Sequence, residues 1–231
     1  MMGKNRNNEI CFVKARYIIG EYEYKVVDHI TYPNIIKSAR SLNIVNMPGE
    51  YSRIPLFQKK LLVYTFCEDV LNEYKLNVKK ALVLGGGGCS IPIFLEQNYN
   101  NCQIEVIEKN KEIIKISKKY FLKKKSKVNL ICKDARKYIF NINSKECKKG
   151  YDFVFFDLFD RDKISELTFQ KEFQKELMVN IKGIIVINLG RATHIQEKRI
   201  CKILNNIYKF KKVCYNYKNT YIIASNFIKI K

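Results

Sequence analysis

Ala81-Leu82-Val83-Leu84-Gly85-Gly86-Gly87-Gly88-Cys89-Ser90 reads as a short apolar strand that runs into a four-glycine turn and then into an apolar-periodic helix. Glycines at such a corner let the chain take positive φ and let backbone N–H groups approach a ligand closely. The following helix adds unpaired N–H groups and the positive end of its dipole, which favours a nucleotide. Gly-rich strand-to-helix turns also arise for packing reasons alone, so the residues downstream decide the reading.

A second strand over residues 102–107 ends in Glu108, 23 positions after Gly85, where a doubly wound α/β fold places the carboxylate that grips ribose hydroxyls. A carboxylate accepts two hydroxyl donors at once. A helix over 111–122 follows, with Ile113, Ile114, Ile116, Tyr120 and Phe121 forming an apolar stripe among lysines. A third strand over 128–132 delivers Asp134-Ala135, and a fourth over 152–156 delivers Asp157 and Asp160. Three strands thus end in acids, and ligands of open α/β sheets bind outside the carboxyl ends of the strands, so Glu108, Asp134 and Asp157 are expected in one crevice beside the glycines. Beyond them the pattern predicts a helix over 167–179, a turn at Lys182-Gly183, a strand over 184–189 and a helix over 195–208. Two last strands over 212–217 and 221–224 join by a short turn around Lys218-Asn219. So short a connection makes that pair antiparallel. The expected fold class is α/β: a doubly wound, Rossmann-like, seven-stranded, mostly parallel sheet closed by an antiparallel strand, with a small N-terminal β-unit.

The succession Leu82-Val83-Leu84-Gly85-Gly86-Gly87-Gly88, Val106-Ile107-Glu108-Lys109-Asn110, Lys133-Asp134-Ala135 and Tyr151-Asp152-Phe153-Val154-Phe155-Phe156-Asp157-Leu158-Phe159-Asp160 resembles the spermidine synthase-like branch of the class I S-adenosylmethionine-dependent methyltransferase fold. The resemblance runs from about Ala39 to Phe227 and includes Phe173, Gly183 and Asn188. It implies that Gly85, Gly86, Gly87 and Gly88 cradle the cofactor, that Glu108 holds the ribose, that Asp134 and Ala135 flank the adenine, and that Asp157 is the catalytic carboxylate that takes or orients an amine proton. Tyr64 and Asp160 become substrate-binding candidates, with Tyr51 and Ser52 on the acceptor side by position. The implied co-substrate is S-adenosylmethionine or its decarboxylated form, and members of the branch are often dimers or tetramers, so a homo-oligomer is expected. Three places depart from the family pattern. The Asp that usually ends the glycine run is Gly88, the Asp-Pro after the catalytic Asp is Asp160-Arg161, and the Tyr-His before the nucleotide domain is Tyr64-Thr65. With no acid at Gly88, its N–H is a candidate for the α-carboxylate of ordinary S-adenosylmethionine, so aminopropyl and methyl transfer both stay open.

With 231 residues, 47% of them hydrophobic, the chain can bury one good-sized core. Residues 17–27 and 41–45 alternate, with Pro33, Pro48 and Gly49 as punctuation, which predicts a β-rich extension over 1–55. A helix over 56–74 would join it to a nucleotide-binding domain over 56–231. No apolar stretch approaches a membrane span and the run at Ile10–Val13 is too short for a signal peptide, so the expected location is the cytoplasm. Eight cysteines without any Cys-x-x-Cys pair fit reduced thiols, Cys89 among them, which packs or reacts at a helix start. His29 and His194 lack partners at metal-ligand spacing, and no metal is expected.

A formal net charge of +21 favours phosphate-rich partners and makes RNA methylation the second reading. The excess is mostly lysine spread along the chain, and Asn/Asp-Pro-Pro-Tyr and Pro-Cys signatures are absent. From Asp157 to Glu166 there are four acids and two bases, a net −2 that suits a cationic amine acceptor. The third reading is a nucleotide-binding protein that kept the fold without catalysis.

Overall fold

The computed structural model describes residues 4–5, 9–47, 50–57, 65–144, 150–216 and 219–230. Five antiparallel strands come first, in meander order: β1 (Lys4–Asn5), β2 (Glu9–Ile19), β3 (Tyr22–Thr31), β4 (Ala39–Ile44) and β5 (Ser52–Pro55). The alternating stretch 17–27 is the heart of the β2–β3 hairpin, folded at Gly20-Glu21.

The second sheet is built from β6 (Lys80–Leu84), β7 (Gln103–Glu108), β8 (Asn129–Cys132), β9 (Tyr151–Phe156), β12 (Ile181–Asn188), β13 (Phe210–Asn216) and β14 (Asn219–Ser225), with β10 (Phe159–Asp160) and β11 (Lys163–Ile164) as a small separate hairpin. The strand order is β13-β14-β12-β9-β6-β7-β8. Five strands run parallel, and β14 inserts antiparallel to both β12 and β13. This is the mostly parallel seven-stranded sheet that the sequence predicts.

Strands covered by helices on both faces are apolar on both faces, and the pleat sorts the side chains by parity. Val83, Phe153, Phe155 and Val186 face α1 (Thr65–Glu73), α2 (Ser90–Asn98) and α3 (Lys111–Tyr120), whereas Leu82, Val154, Phe156 and Ile187 face α4 (Ala135–Ser144), α5 (Lys171–Met178) and α6 (His194–Leu204). Val26, Leu42 and Ile54 of the N-terminal sheet belong to the first of these cores. Four of the five stripe residues expected on α3 are buried, and Tyr120 is half-buried with its hydroxyl accepting from the Tyr17 hydroxyl at 3.1 Å. Asn110 starts α3 by accepting from the N–H groups of Glu112 and Ile113.

Four sequence expectations are corrected. Lys182-Gly183 is no turn: both residues lie inside β12, where the pairing with β9 slips between Ile181 and Ile184. Gly183 is required there because a Cβ would overlap the Asp152 carbonyl oxygen. The helix predicted over 167–179 divides into a 3-10 turn, Glu166–Phe169, and α5. The helix predicted over 195–208 ends at Leu204 and begins one residue early, because Thr193 and Gln196 form a reciprocal capping box. Leu56 and Phe57 lie in a bend after β5, so the helix predicted from 56 begins in the described residues only at Thr65; residues 58–64, like Lys218 of the last hairpin, lie outside the described residues.

Candidate active site

The carboxyl ends of β6, β7 and β9 are tied together by their own backbones. The Gly85 N–H donates to the Ile107 carbonyl at 2.9 Å, and the Asp157 N–H donates to the Leu84 carbonyl at 2.8 Å. Gly85 takes φ +95, and a Cβ on it would overlap the Asp157 carbonyl oxygen. Glycine is thus needed at this corner for both conformation and space. Above it opens a cavity of about 460 Å³, with Gly85, Gly87, Asp157 and Asn188 from the sheet side and Tyr51 from the β4–β5 connection.

Asp157 is the acid on the cavity floor. Its Oδ1 accepts from Asn188 Nδ2 at 2.8 Å, and Asn188 Oδ1 in turn accepts from the Gly190 N–H at 2.9 Å, which fixes the amide. Burial raises the Asp157 carboxyl to a pKa of about 6, with the Asn188 hydrogen bond pulling the other way. At neutral pH it is ionised and more basic than an ordinary carboxylate.

Glu108 lies across the glycine turn at the end of β7 and is 7% exposed. Its Oε2 accepts from the Gly86 N–H at 3.1 Å and its Oε1 from the Asn110 N–H at 2.8 Å. It lines an adjoining cavity of about 850 Å³ that shares Ile44, Met47, Tyr51, Phe159, Arg161 and Asp162 with the first. The two cavities meet along the carboxyl edge of the sheet, so Glu108 and Asp157 do face one crevice. Asp134 does not join them: it accepts from the Lys137 N–H at 3.0 Å, at the start of α4, and with Ala135 lines neither cavity. Asp160 lines the second cavity and pairs with Lys109 at 2.6 Å, both side chains exposed. Tyr64 lies outside the described residues.

A family model described as "Spermine/spermidine synthase domain" matches residues 69–229, from within α1 to just beyond the last strand. The chain belongs to the spermine/spermidine synthase family. It is a transferase of that family, and a "Polyamine aminopropyltransferase" of Vibrio vulnificus (strain CMCP6) is 25% identical over 217 residues, spanning 87% of this chain and 72% of the relative. Two solved structures share the fold. A probable spermidine synthase from Corynebacterium glutamicum ATCC 13032 superposes with a TM-score of 0.75 at 16% identity, covering 93% of this chain and 81% of that one. A spermidine synthase in complex with the transition-state analogue AdoDATO gives 0.65 at 15% identity, covering 94% and 74%.

Within this spermine/spermidine synthase fold the glycine turn is sealed from inside the protein. Gly88 donates its N–H to Ser52 Oγ at 2.7 Å, the Gly87 carbonyl accepts from Ser117 Oγ at 2.5 Å, and the Cys89 N–H donates to the Gly86 carbonyl at 2.9 Å. The N–H of Gly88 is therefore not presented to a ligand carboxylate, contrary to one sequence expectation. Space excludes a side chain as well: a Cβ on Gly88 would lie 2.7 Å from Ser52 Cβ and 3.0 Å from the Phe121 ring. Cys89 is fully buried, and burial pushes its thiol up to about 12, so it packs.

The acids after β9 are largely paired within the fold. Asp160 is held by Lys109, which lowers its pKa, and Glu166 lies 3.3 Å from Arg199. The net −2 counted along the sequence therefore overstates the negative charge at the cavity. Sequence reading left out several cavity residues, Asn219 and Tyr221 of the last hairpin and Gly190 and Arg191 after β12, as well as Ser117, which is buried behind the turn. The Leu-Gly-Arg run after the strand-end Asn188 was the one local signal available. Among the described residues, no group of three or more His, Cys, Asp and Glu is placed to hold a metal, and no helix is long and apolar enough to cross a membrane.

Proposed function

We propose that this chain transfers an aminopropyl group from decarboxylated S-adenosylmethionine to an amine nitrogen. The observation that carries this reading is Asp157: a carboxylate of raised pKa, held by Asn188 on a cavity floor beside a glycine turn, in a member of the spermine/spermidine synthase family.

The acceptor amine, with a solution pKa near 10, must lose a proton before its lone pair attacks the carbon next to the sulfonium. Asn188 occupies Oδ1 of Asp157, which leaves Oδ2 to receive that proton and aim the lone pair. A new C–N bond forms as the C–S bond breaks, and methylthioadenosine leaves as a neutral thioether. Fixing nucleophile and carbon in line supplies much of the rate. Glu108 takes the ribose hydroxyls on the lone pairs that Gly86 and Asn110 leave free. Gly85 and Gly87 keep the turn beside the nucleoside site compact, because a Cβ there would overlap the Asp157 carbonyl or Ser52 Oγ, and Gly86 lies close against Glu108. Gly88 acts through Ser52, which closes the turn. Asp160, paired with Lys109, lines the adjoining cavity beside Glu108.

Calorimetric titration with S-adenosylmethionine, its decarboxylated form and methylthioadenosine tests the donor. The decarboxylated form is expected to bind tightest, and Glu108→Ala to weaken it at least tenfold. Preference for the carboxylated form would make the chain a methyltransferase, and binding of none would remove the nucleoside assignment.

A further inference from the structure

The cavity above Asp157 is lined by three carboxylates, Asp157, Glu50 and Asp162, against two guanidinium groups, Arg161 and Arg191, a balance that suits a cationic acceptor. Asp157 ends a row of side chains on one face of the sheet. It follows Phe155 by two residues, as Asn188 follows Val186, so the period of the strands turns both toward the face that α1 covers. β9, β12 and β14 are neighbours, and Tyr221 of β14 lies directly opposite Asn188. Both ends of the Asn188 amide are engaged, with Nδ2 donating to Asp157 and Oδ1 accepting from the Gly190 N–H. Tyr221 is next along the row and lines the cavity. Its ring is 5% exposed and stacked on Phe66 of α1 with centroids 4.4 Å apart, which fixes it in place. Stacking needs only the ring. The hydroxyl is an addition, and its one hydrogen bond among the described residues is accepted from Nδ2 of Asn219, 3.2 Å away, itself a lining residue of the cavity.

A hydroxyl that accepts one hydrogen bond keeps a second lone pair, which can accept from an ammonium. Burial pushes the Tyr221 phenol up to about 12, with the Asn219 hydrogen bond pulling the other way, so it is neutral near pH 7 and is no second base. From Asp157 to Tyr221 the row crosses two strand spacings, about 10 Å, which is room for a short carbon chain with a nitrogen at each end. We propose that Tyr221 is a specificity-determining residue: its hydroxyl, held by Asn219, receives the second ammonium of a diamine whose first nitrogen sits on Asp157. The inference rests on the aminopropyl-transfer reading and deepens it by assigning the group that reads the far end of the acceptor.

The test uses the full chain, decarboxylated S-adenosylmethionine and three acceptors, butane-1,4-diamine, butan-1-amine and spermidine, with methylthioadenosine release as the readout. Wild type is expected to give a kcat/KM at least tenfold higher with the diamine than with the monoamine. Tyr221→Phe keeps the stacked ring and removes only the hydroxyl. It is expected to lower that diamine-to-monoamine ratio at least fivefold, chiefly through the diamine KM. Asn219→Ala leaves the hydroxyl unheld and is expected to lower the ratio at least twofold. A circular dichroism melt checks that both variants fold. An unchanged ratio in Tyr221→Phe, or a fall in kcat shared equally by both amines, would overturn the inference and leave aminopropyl transfer standing. Release with spermidine alone would do the same. Release with none of the three, although the donor binds, would take down both.

Discussion

At the residue scale, Asp157 trades stability for chemistry. Its folded pKa of about 6 stands above the ordinary 3.8, so the folded state binds its proton more tightly than the unfolded chain does. The stabilising contribution is therefore full below about pH 4 and lost as pH rises through 6. Asp157→Asn removes that penalty, so it is expected to raise the melting temperature at pH 7.5 by an amount that vanishes toward pH 4. The full shift corresponds to as much as about 3 kcal/mol. The same substitution is expected to lower kcat about 100-fold or more, and wild-type kcat/KM to climb through pH 6 rather than pH 4. An Asp157→Asn protein that melts lower at pH 7.5 would show that this carboxylate is not buried at a cost, and one that keeps full turnover would show that it is not the base. Asp157 and Glu108 were legible from their places after β9 and β7. The Ser52–Gly88 bond was not, because it joins residues 36 positions apart through the packing of one sheet on another.

At the element scale, β12 shows how a local signal can be misread. Lys182-Gly183 has the composition of a turn. In the fold, two residues of β12 oppose Asp152 of β9, whose side chain accepts from the N–H groups of Lys79 and Lys80 and pairs with Lys182. The glycine lets two backbones approach rather than reverse direction. Gly183→Ala must displace the Asp152 carbonyl, and we expect a loss of at least about 2 kcal/mol in chemical denaturation. A loss under half that would mean the bulge relaxes freely. Helix ends follow a similar logic. Thr193 and Asn110 were legible as caps only once the elements they start were placed, whereas the 3-10 turn before α5 is set by its packing against α5 and α6.

At the scale of the whole molecule, the N-terminal sheet and the seven-stranded sheet share a core. Val26, Leu42 and Ile54 pack with Val83 and Phe155, and Arg40 bridges Asp28, at 2.6 and 2.9 Å, to the Tyr120 carbonyl at 2.8 Å. We propose that residues 1–55 form an extension that unfolds together with residues 56–231, in one transition seen alike by far-UV and tyrosine signals. A net charge of +21 repels itself in the compact state, and salt screens exposed charges over about 8 Å at physiological strength. Raising salt from 50 to 300 mM is therefore expected to raise the melting temperature. A flat or falling response would mean that ion pairs such as Arg40–Asp28 outweigh the global repulsion.

The sequence alone determined the layered α/β fold, because strand-length apolar runs, helical stripes and a glycine turn are written in adjacent residues and have one compatible arrangement. It also determined which acids end which strands. Only the tertiary structure decided which of those acids share a crevice, that Ser52 closes the turn in place of a side chain on Gly88, and that Arg161 and Arg191 line the same cavity as Asp157. Those relations join residues far apart in the chain, and they are fixed by how two sheets, a hairpin and a loop pack together, which no local spacing encodes.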